Sequence, residues 1–364
     1  MRILVLLPSL LDSIGGIQTY SQALVWALSD VVGTASGTVR VLALHDLPGE
    51  ERSIPGLDAV RLRGFGGKRL AFSLAAVAEA RRADTVILAH VNFSPLLHPI
   101  RWFSPGARTY VSAHGIDVWR PLGSAKLSAL RHVTAIWPVS DYTRQRMLME
   151  NPSLRNIRFD VLPNTLGPSA GTVAATPHGA SQPPGKVVLC VSRMAASEPY
   201  KNVEKLIRAM PDVLARQPDT TLVIVGPGDD RPRLEGISQS LGLGQQIRFM
   251  GRVSDAELQS HFAACDLFVL PSTGEGFGIV YLEAMQYGKA CIGARAAAVP
   301  EVIEDGVTGL LVDPEKPEQL SAGIIRLLQD DALRVQMGEQ GRRRLEEKFS
   351  MPAFRRRLEA LLRR

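Results

Sequence analysis

Residues 266–314 read DLFVLPSTGEGFGIVYLEAMQYGKACIGARAAAVPEVIEDGVTGLLVDP. Within this stretch Glu275 and Glu283 stand eight residues apart, and Gly276, Phe277, Gly278 and Ile279 directly follow the first. The apolar run 267–270 before them has the character of a buried parallel strand. Residues 279–287 have helical spacing, with Leu282 and Met285 on one side. Glu275 is therefore expected in a strand-to-helix loop, and Glu283 about two turns into the helix. Glycines at a helix start let backbone N–H groups approach a phosphate, whose charge the helix dipole favours. A carboxylate beside such a loop accepts hydrogen bonds from sugar or ribose hydroxyls. Together these features suggest a nucleotide-sugar site. An ordinary strand–helix loop with two solvated glutamates has the same spacing.

The chain on either side divides in two. Short apolar runs at 4–7, 39–44, 85–89, 109–112 and 135–139 read as buried strands, separated by helical patterns at 18–28, 69–82 and 141–150. Such alternation predicts a doubly wound parallel sheet. Residues 165–185, TLGPSAGTVAATPHGASQPPG, carry no charge and no hydrophobic period, as a linker does. A second alternation begins at 187–191 and continues at 221–225, 247–250, 267–270, 290–292 and 310–312. The expected organisation is an N-terminal Rossmann-like domain over 1–165, a linker over 166–185, a second such domain over 186–348 and a terminal helix over 349–364. In that helix Phe354, Leu358, Leu361 and Leu362 share a side. A length of 364 residues suits two domains.

The stretch 266–314 resembles the donor-site signature of the large family-4 retaining glycosyltransferases, with its Glu-x7-Glu motif, and the resemblance runs from Arg2 to about Pro314. It implies the GT-B fold, two facing Rossmann-like domains with the active site in the cleft between them. It also implies that Glu275 lies by the donor sugar and diphosphate and that Glu283 binds the ribose. The final helix of the resembled fold crosses back to the N-terminal domain.

Further positions carry chemistry. Arg193 follows the strand VVLCV and Lys201 lies eight residues on; two cations near a helix N-terminus would bind a diphosphate and stabilise it as it leaves. The family has an Arg and a Lys in this loop, although Asn202 stands here where glycine is usual. Gly15 and Gly16, in GGIQTY, resemble the glycine pair that approaches the donor phosphates or the acceptor. His114, followed by Gly115 and Asp117, matches the family's cleft histidine; it sits at a strand C-terminal end, where α/β folds bind ligands, though a satisfied polar histidine fits too. Ser140 suits a helix cap, and Asn164 matches a family position without a chemical role. Gly226-Pro227-Gly228 and Gly251-Arg252 follow strands and suit a crevice for the nucleotide; in the resembled family the base lies near these loops, which implies that Arg252 is close to it. Asp229-Asp230 lacks the spacing of a metal-binding DxD, and no residues have zinc spacing. No metal or other cofactor is expected.

Charge is uneven. Residues 1–165 hold 18 Lys/Arg against 12 Asp/Glu, and the remainder balances at 24 each, so the net charge of +6 belongs to the N-terminal half. A solvated arginine-rich surface explains this; attraction to anionic headgroups or an anionic acceptor does also. The segment 96–108, LLHPIRWFSPGAR, puts Trp102 and Phe103 beside Arg101, which suits an inner-membrane interfacial patch or a packed helix with charged ends. No nucleic-acid motif accompanies the basic balance. The three cysteines, Cys190, Cys265 and Cys291, lie in apolar segments and read as reduced thiols of a cytoplasmic protein. No run reaches the ~20 apolar residues of a membrane span. The run 3–11 resembles a first strand more than a signal peptide, because Pro8 interrupts it and Asp12 follows.

The expected activity is transfer of a hexose from a nucleotide diphosphate sugar to a hydroxyl of a glycan or lipid-linked acceptor, in polysaccharide, lipopolysaccharide or glycolipid assembly. By resemblance it proceeds with retention and without a metal. An epimerase of the same fold is the first rival, although its acid/base residues are not identifiable. A non-catalytic two-lobed sugar-binding protein is the second; the absent signal peptide and the paired cations argue against it. A phosphorylase would need a pyridoxal-phosphate lysine motif. A nicotinamide dehydrogenase would need G-x-G-x-x-G, where residues 13–20 read SIGGIQTY.

Overall fold

The computed structural model describes residues 1–11, 15–33, 37–167 and 185–364. The chain separates into two units, residues Met1–Ala170 with Phe349–Arg364, and Gly171–Lys348. Most of the expected linker, residues 168–184, lies outside the described residues.

In the first unit the strands are β1 (Arg2–Leu7), β2 (Thr38–Ala43), β3 (Arg52–Ile54), β4 (Leu57–Gly64), β5 (Thr85–Leu88), β6 (Arg108–Ala113) and β7 (Ala135–Pro138). Among the described residues they form a 7-stranded sheet in the order β3-β4-β2-β1-β5-β6-β7. All pairings are parallel except β3 with β4. Central β1 is buried from Ile3 to Leu7, as a strand covered on both faces must be. The covering helices are α1 (Gly16–Gly33), α2 (Arg69–Ala80), α3 (Leu97–Phe103), α4 (Ser124–Leu130) and α5 (Asp141–Glu150).

The sheet is thus wider than the apolar runs indicate, and not wholly parallel. Strand β4 reads LDAVRLRG, with Leu57, Val60 and Leu62 buried while Asp58, Arg61 and Arg63 face water. One wet face gives alternation rather than an apolar run. Only Pro55 and Gly56 separate β3 from β4, with Gly56 at φ 78°; a two-residue connection allows antiparallel pairing alone.

The second unit contains β8 (Lys186–Val191), β9 (Thr220–Val225), β10 (Ile247–Gly251), β11 (Leu267–Leu270), β12 (Cys291–Ala294) and β13 (Gly309–Val312). Among the described residues these make a 6-stranded sheet in the order β10-β9-β8-β11-β12-β13, all parallel. Its helices are α6 (Val203–Arg216), α7 (Arg231–Ser240), α8 (Asp255–Ala264), α9 (Ile279–Gln286), α10 (Val299–Val302), α11 (Pro317–Gln329) and α12 (Asp331–Arg344). The chain leaves β8 on one side to β9 and returns on the other side as β11. The order therefore reverses between β8 and β11, the place where open α/β sheets bind ligands beyond their carboxyl ends.

A π-helical turn at Leu345–Phe349 leads to α13 (Met351–Arg363), capped by Ser350, whose hydroxyl accepts from Ala353 N. Helix α13 packs on α1 of the first unit, burying Phe354, Leu358, Leu361 and Leu362. The Phe354 ring meets Tyr20 edge-on at 6.1 Å, and Arg108 donates to the Leu362 carbonyl at 2.5 Å. Phe354→Ala should destabilise the protein by about 3–5 kcal/mol, read as a lowered urea midpoint; an unchanged midpoint would show that α13 is not anchored there.

Candidate functional site

The loop leaving β8 carries Ser192, Arg193 and Met194 before a 3₁₀ turn at Pro199–Lys201. Gly226, at the end of β9, has φ +137°, and a Cβ there would strike the Ser192 carbonyl. Glycine thus lets the β8 and β9 loops lie against each other. Arg193 is 69% exposed in its side chain and pairs with Glu198 at 2.5 Å. The two aspartates after β9 are structural. Asp229 accepts from Ala196 N at 2.9 Å, and Asp230 takes the Arg233 guanidinium through both oxygens at 2.7 Å.

This β8 loop is stitched to the loop after β11. Asn202 adopts the left-handed conformation, φ 55°, as the residue before α6, a role asparagine tolerates better than most residues. Its amide donates to the Pro271 carbonyl at 2.9 Å. Thr273 N donates to the Tyr200 carbonyl at 2.8 Å. Lys201 Nζ then meets Glu275 Oε1 at 2.8 Å, with 18% and 12% of the two side chains exposed. Two residues 74 positions apart are thus joined where the strand order reverses.

Gly276 and Phe277 lead to Gly278, the residue before α9, at φ +94°. Any side chain at Gly278 would be strained and would strike the Tyr281 ring, whose hydroxyl is itself fixed on the Leu270 carbonyl at 2.6 Å. Ile279 is the first residue of α9, so Glu283 stands one turn into the helix. The spacing suggested two turns; the loop holds the chain out of helix until Gly278. Glu283 is half-buried and has no hydrogen-bond or ion-pair partner among the described residues. Burial, with the nearby Asp255 charge, pushes its carboxyl up to about 7. Arg252 is exposed after Gly251. Arg231, absent from the sequence-based expectations, lies against Gly251 and donates to the Phe249 carbonyl at 3.0 Å and to Glu235 at 2.6 Å.

In the first unit Gly15, φ +153°, precedes α1, and its carbonyl accepts from Thr19 N at 3.0 Å. Gly16 is the first residue of α1. The start of the β1–α1 connection is fixed by Asp46, fully buried, which accepts from the Ser9 hydroxyl and from Leu10 N at 3.0 Å and Leu11 N at 3.2 Å. His114 follows β6. Its Nε2 lies 2.6 Å from the Ala89 carbonyl, and Tyr20 meets its ring edge-on at 4.7 Å. A carbonyl only accepts, so Nε2 carries the proton and Nδ1 is left as an acceptor. Burial holds His114 below the ordinary histidine range, against the pull of Asp117. His90, also unflagged by the sequence reading, sits after β5 as His114 sits after β6. Its Nδ1 accepts from Asn92 N at 3.1 Å and its Nε2 faces Asp117 at 3.7 Å. Burial likewise keeps His90 neutral. The usable signal was a polar residue close behind a strand: His90 stands two residues after β5, and buried Asp46 three after β2.

Residues 178–344 match the family model described as glycosyl transferases group 1. A GDP-mannose-dependent alpha-(1-6)-phosphatidylinositol monomannoside mannosyltransferase of Mycolicibacterium smegmatis is 31% identical over 262 residues, 68% of each chain. This chain belongs to the group 1 glycosyl transferases. A monoacylated-acceptor counterpart from Corynebacterium glutamicum is 29% identical over 311 residues, 80% of this chain and 79% of the relative. Among solved structures, sucrose-phosphate synthase from Thermosynechococcus elongatus matches with a TM-score of 0.78 at 20% identity, covering 100% of this chain and 98% of the other. Anabaena Alr3699/HepE in complex with UDP and glucose matches at 0.75 and 20%, covering 100% and 99%. These likenesses give the transferase the GT-B fold. The relatives named are transferases, and the epimerase reading finds no support among them.

Two expectations follow for the transferase. Because the raised carboxyl of Glu283 keeps a proton that the unfolded chain releases from about pH 4.5, stability falls as pH rises through 4.5 to 7. Glu283→Gln should therefore stabilise the empty protein at pH 8 by on the order of 1–3 kcal/mol and leave it unchanged at pH 4; equal melting shifts at both pH values would refute the buried-carboxyl account. Lys201→Ala strands a buried carboxylate and should cost about 2 kcal/mol or more, whereas exposed Arg193→Ala should stay within about 0.5 kcal/mol. Chemical denaturation of both variants compares them, and equal losses would contradict the different burial of the two cations.

Proposed function

We propose that this transferase moves a hexose from a nucleoside diphosphate sugar to a hydroxyl of a lipid-linked or glycan acceptor, with retention and without a metal ion, working at a membrane face. The observation that carries the reading is the Lys201–Glu275 pair at the β8/β11 reversal, beside a helix whose first turn presents the unpartnered Glu283. Lys201 and Arg193 share one loop and offer positive charge to a diphosphate. The N–H groups at the start of α9, opened by Gly276 and Gly278, offer dipoles to the same group. Glu283 is suited to accept from two ribose hydroxyls, and Glu275, oriented by Lys201, from a hydroxyl of the donor sugar. Gly226 and Arg252 belong to the nucleotide side of this unit. In the first unit Gly15 and Gly16 leave open backbone, and the bare Nδ1 of His114 accepts from a sugar hydroxyl.

Cations and dipoles aimed at the departing diphosphate supply the main catalytic effect, because that is where charge develops. The bond from the anomeric carbon to the phosphate oxygen breaks, the acceptor oxygen bonds on the same face, and its proton passes to the departing phosphate oxygen. Glu275 is held by Lys201 as a ligand rather than standing free as a nucleophile. Asp229 and Asp230 are engaged by Ala196 N and Arg233, and the two cations take the place a divalent ion would fill. GDP-mannose is the first donor to test, because the mannosyltransferase relatives carry that dependence in their names.

Thermal shift with GDP, UDP and ADP should single out GDP, since only the folded protein binds it. Turnover with GDP-mannose should survive EDTA and give the α-anomer by NMR. A shift with UDP alone would reassign the donor; loss in EDTA restored by Mg²⁺ would overturn the metal-free reading, and a β-product the retention. Glu283→Gln should weaken bare GDP more than Glu275→Gln does, while Glu275→Gln should lower kcat more; equal loss of GDP affinity would undo that division.

A further inference from the structure

Helix α2 is apolar on both faces. Phe72, Ala76 and Ala80 point into the core at helical spacing. On the opposite face Leu70 and Leu74 are 76% and 65% exposed, in line with exposed Ala78 and then Arg81. An ordinary surface helix would present polar side chains there. The stripe continues onto α3, because the Arg81 guanidinium lies 4.4 Å over the Phe103 ring. Helix α3 buries Leu97 and Ile100, leaving Phe103 47% and Trp102 82% exposed. Helix α3 thus has one packed side and one exposed aromatic side.

Cations surround this apolar band. Lys68, Arg69, Arg81, Arg82 and Arg101 form no ion pair with any described residue. The nearby acids are taken: Glu79 pairs with Arg40, and Asp84 with Arg2 at 3.0 Å. A contiguous exposed apolar patch marks an interaction surface. Leucines and an indole ringed by unneutralised arginines match the acyl boundary and headgroup layer of an anionic membrane. A second copy of the same face would bring these cations against one another, and charge complementarity disfavours it.

We infer that the outer face of α2 and the end of α3 dock the enzyme on an anionic lipid bilayer, with Leu70, Leu74, Trp102 and Phe103 entering the interface and Lys68, Arg69, Arg81, Arg82 and Arg101 engaging headgroups. The inference rests on the lipid-linked acceptor proposed above and identifies the surface that meets it. The full-length protein should co-sediment with vesicles of equal parts phosphatidylcholine and phosphatidylglycerol, stay in solution with phosphatidylcholine alone, and dissociate as salt rises. Arg69→Glu, Arg82→Glu and Arg101→Glu should each weaken partition by about fivefold or more. Leu70→Ser with Leu74→Ser and Trp102→Ser should abolish binding that low salt does not restore. The thermal shift given by GDP should be the same in all these variants, which separates docking from donor binding. Wild-type protein that stays in solution with the anionic vesicles at low salt, or surface variants that bind like wild type, would overturn the surface even where transfer from GDP-mannose is established. Self-association in place of vesicle binding, abolished by the leucine changes, would overturn it in favour of a second copy.

Discussion

The Lys201–Glu275 ion pair is the contact on which the proposed donor site depends. Taken alone, two mostly buried charges gain little, since desolvation offsets their attraction. Its setting gives it a different use. The Asn202 amide on Pro271 and the Thr273 amide on Tyr200 already hold the two loops in register. The pair therefore closes a frame that backbone contacts have built, and little side-chain freedom remains to be lost when a ligand arrives. A diphosphate entering this frame would meet a lysine whose position is set, and a carboxylate that is oriented without being a free nucleophile.

Much of the fold was legible because a parallel sheet covered on both faces forces its strands to be apolar along their length. Strands β1, β8, β9 and β11 are such runs. Strand β4 was not legible, since its arginines face water and dilute the signal, and three-residue β3 gives almost none. The site was readable as residue types and less so as geometry. Glycines around Glu275 announced a loop, yet only the left-handed Gly278 shows where α9 begins, and it moves Glu283 a turn closer to the helix start. That Lys201 reaches Glu275 rather than Glu198 could not be read from spacing. Asn202 looked like a departure from the family's glycine; its left-handed backbone and its bond to Pro271 give it a structural reason.

In the first unit the same economy applies to a histidine. Tyr20, buried and bonded to Ser112 at 2.7 Å, supports the His114 ring on one side and meets Phe354 of α13 on the other. The terminal helix is thus part of the wall behind His114, although it lies more than 200 positions away in the chain. The Ala89 carbonyl then fixes which ring nitrogen carries the proton. With burial keeping the ring neutral, one acceptor is presented in one orientation.

Glu283 illustrates how a site can be built against stability. A carboxyl half-buried one turn into α9, with no donor among the described residues, is a cost that the empty protein bears and that rises as the group ionises near pH 7. Its position is near the favourable end of the helix dipole, yet burial and the nearby Asp255 charge push its carboxyl up. A pair of vicinal hydroxyls, such as those of the ribose in the proposed donor, would supply hydrogen bonds to it. On that reading, binding a ribose relieves the strain of an ionised buried group as well as adding contacts, so affinity should grow as the carboxyl ionises between pH 6 and 8. A protein stabilised by Glu283→Gln would lose that pH dependence, because the amide is satisfied equally at every pH and has no charge to be relieved.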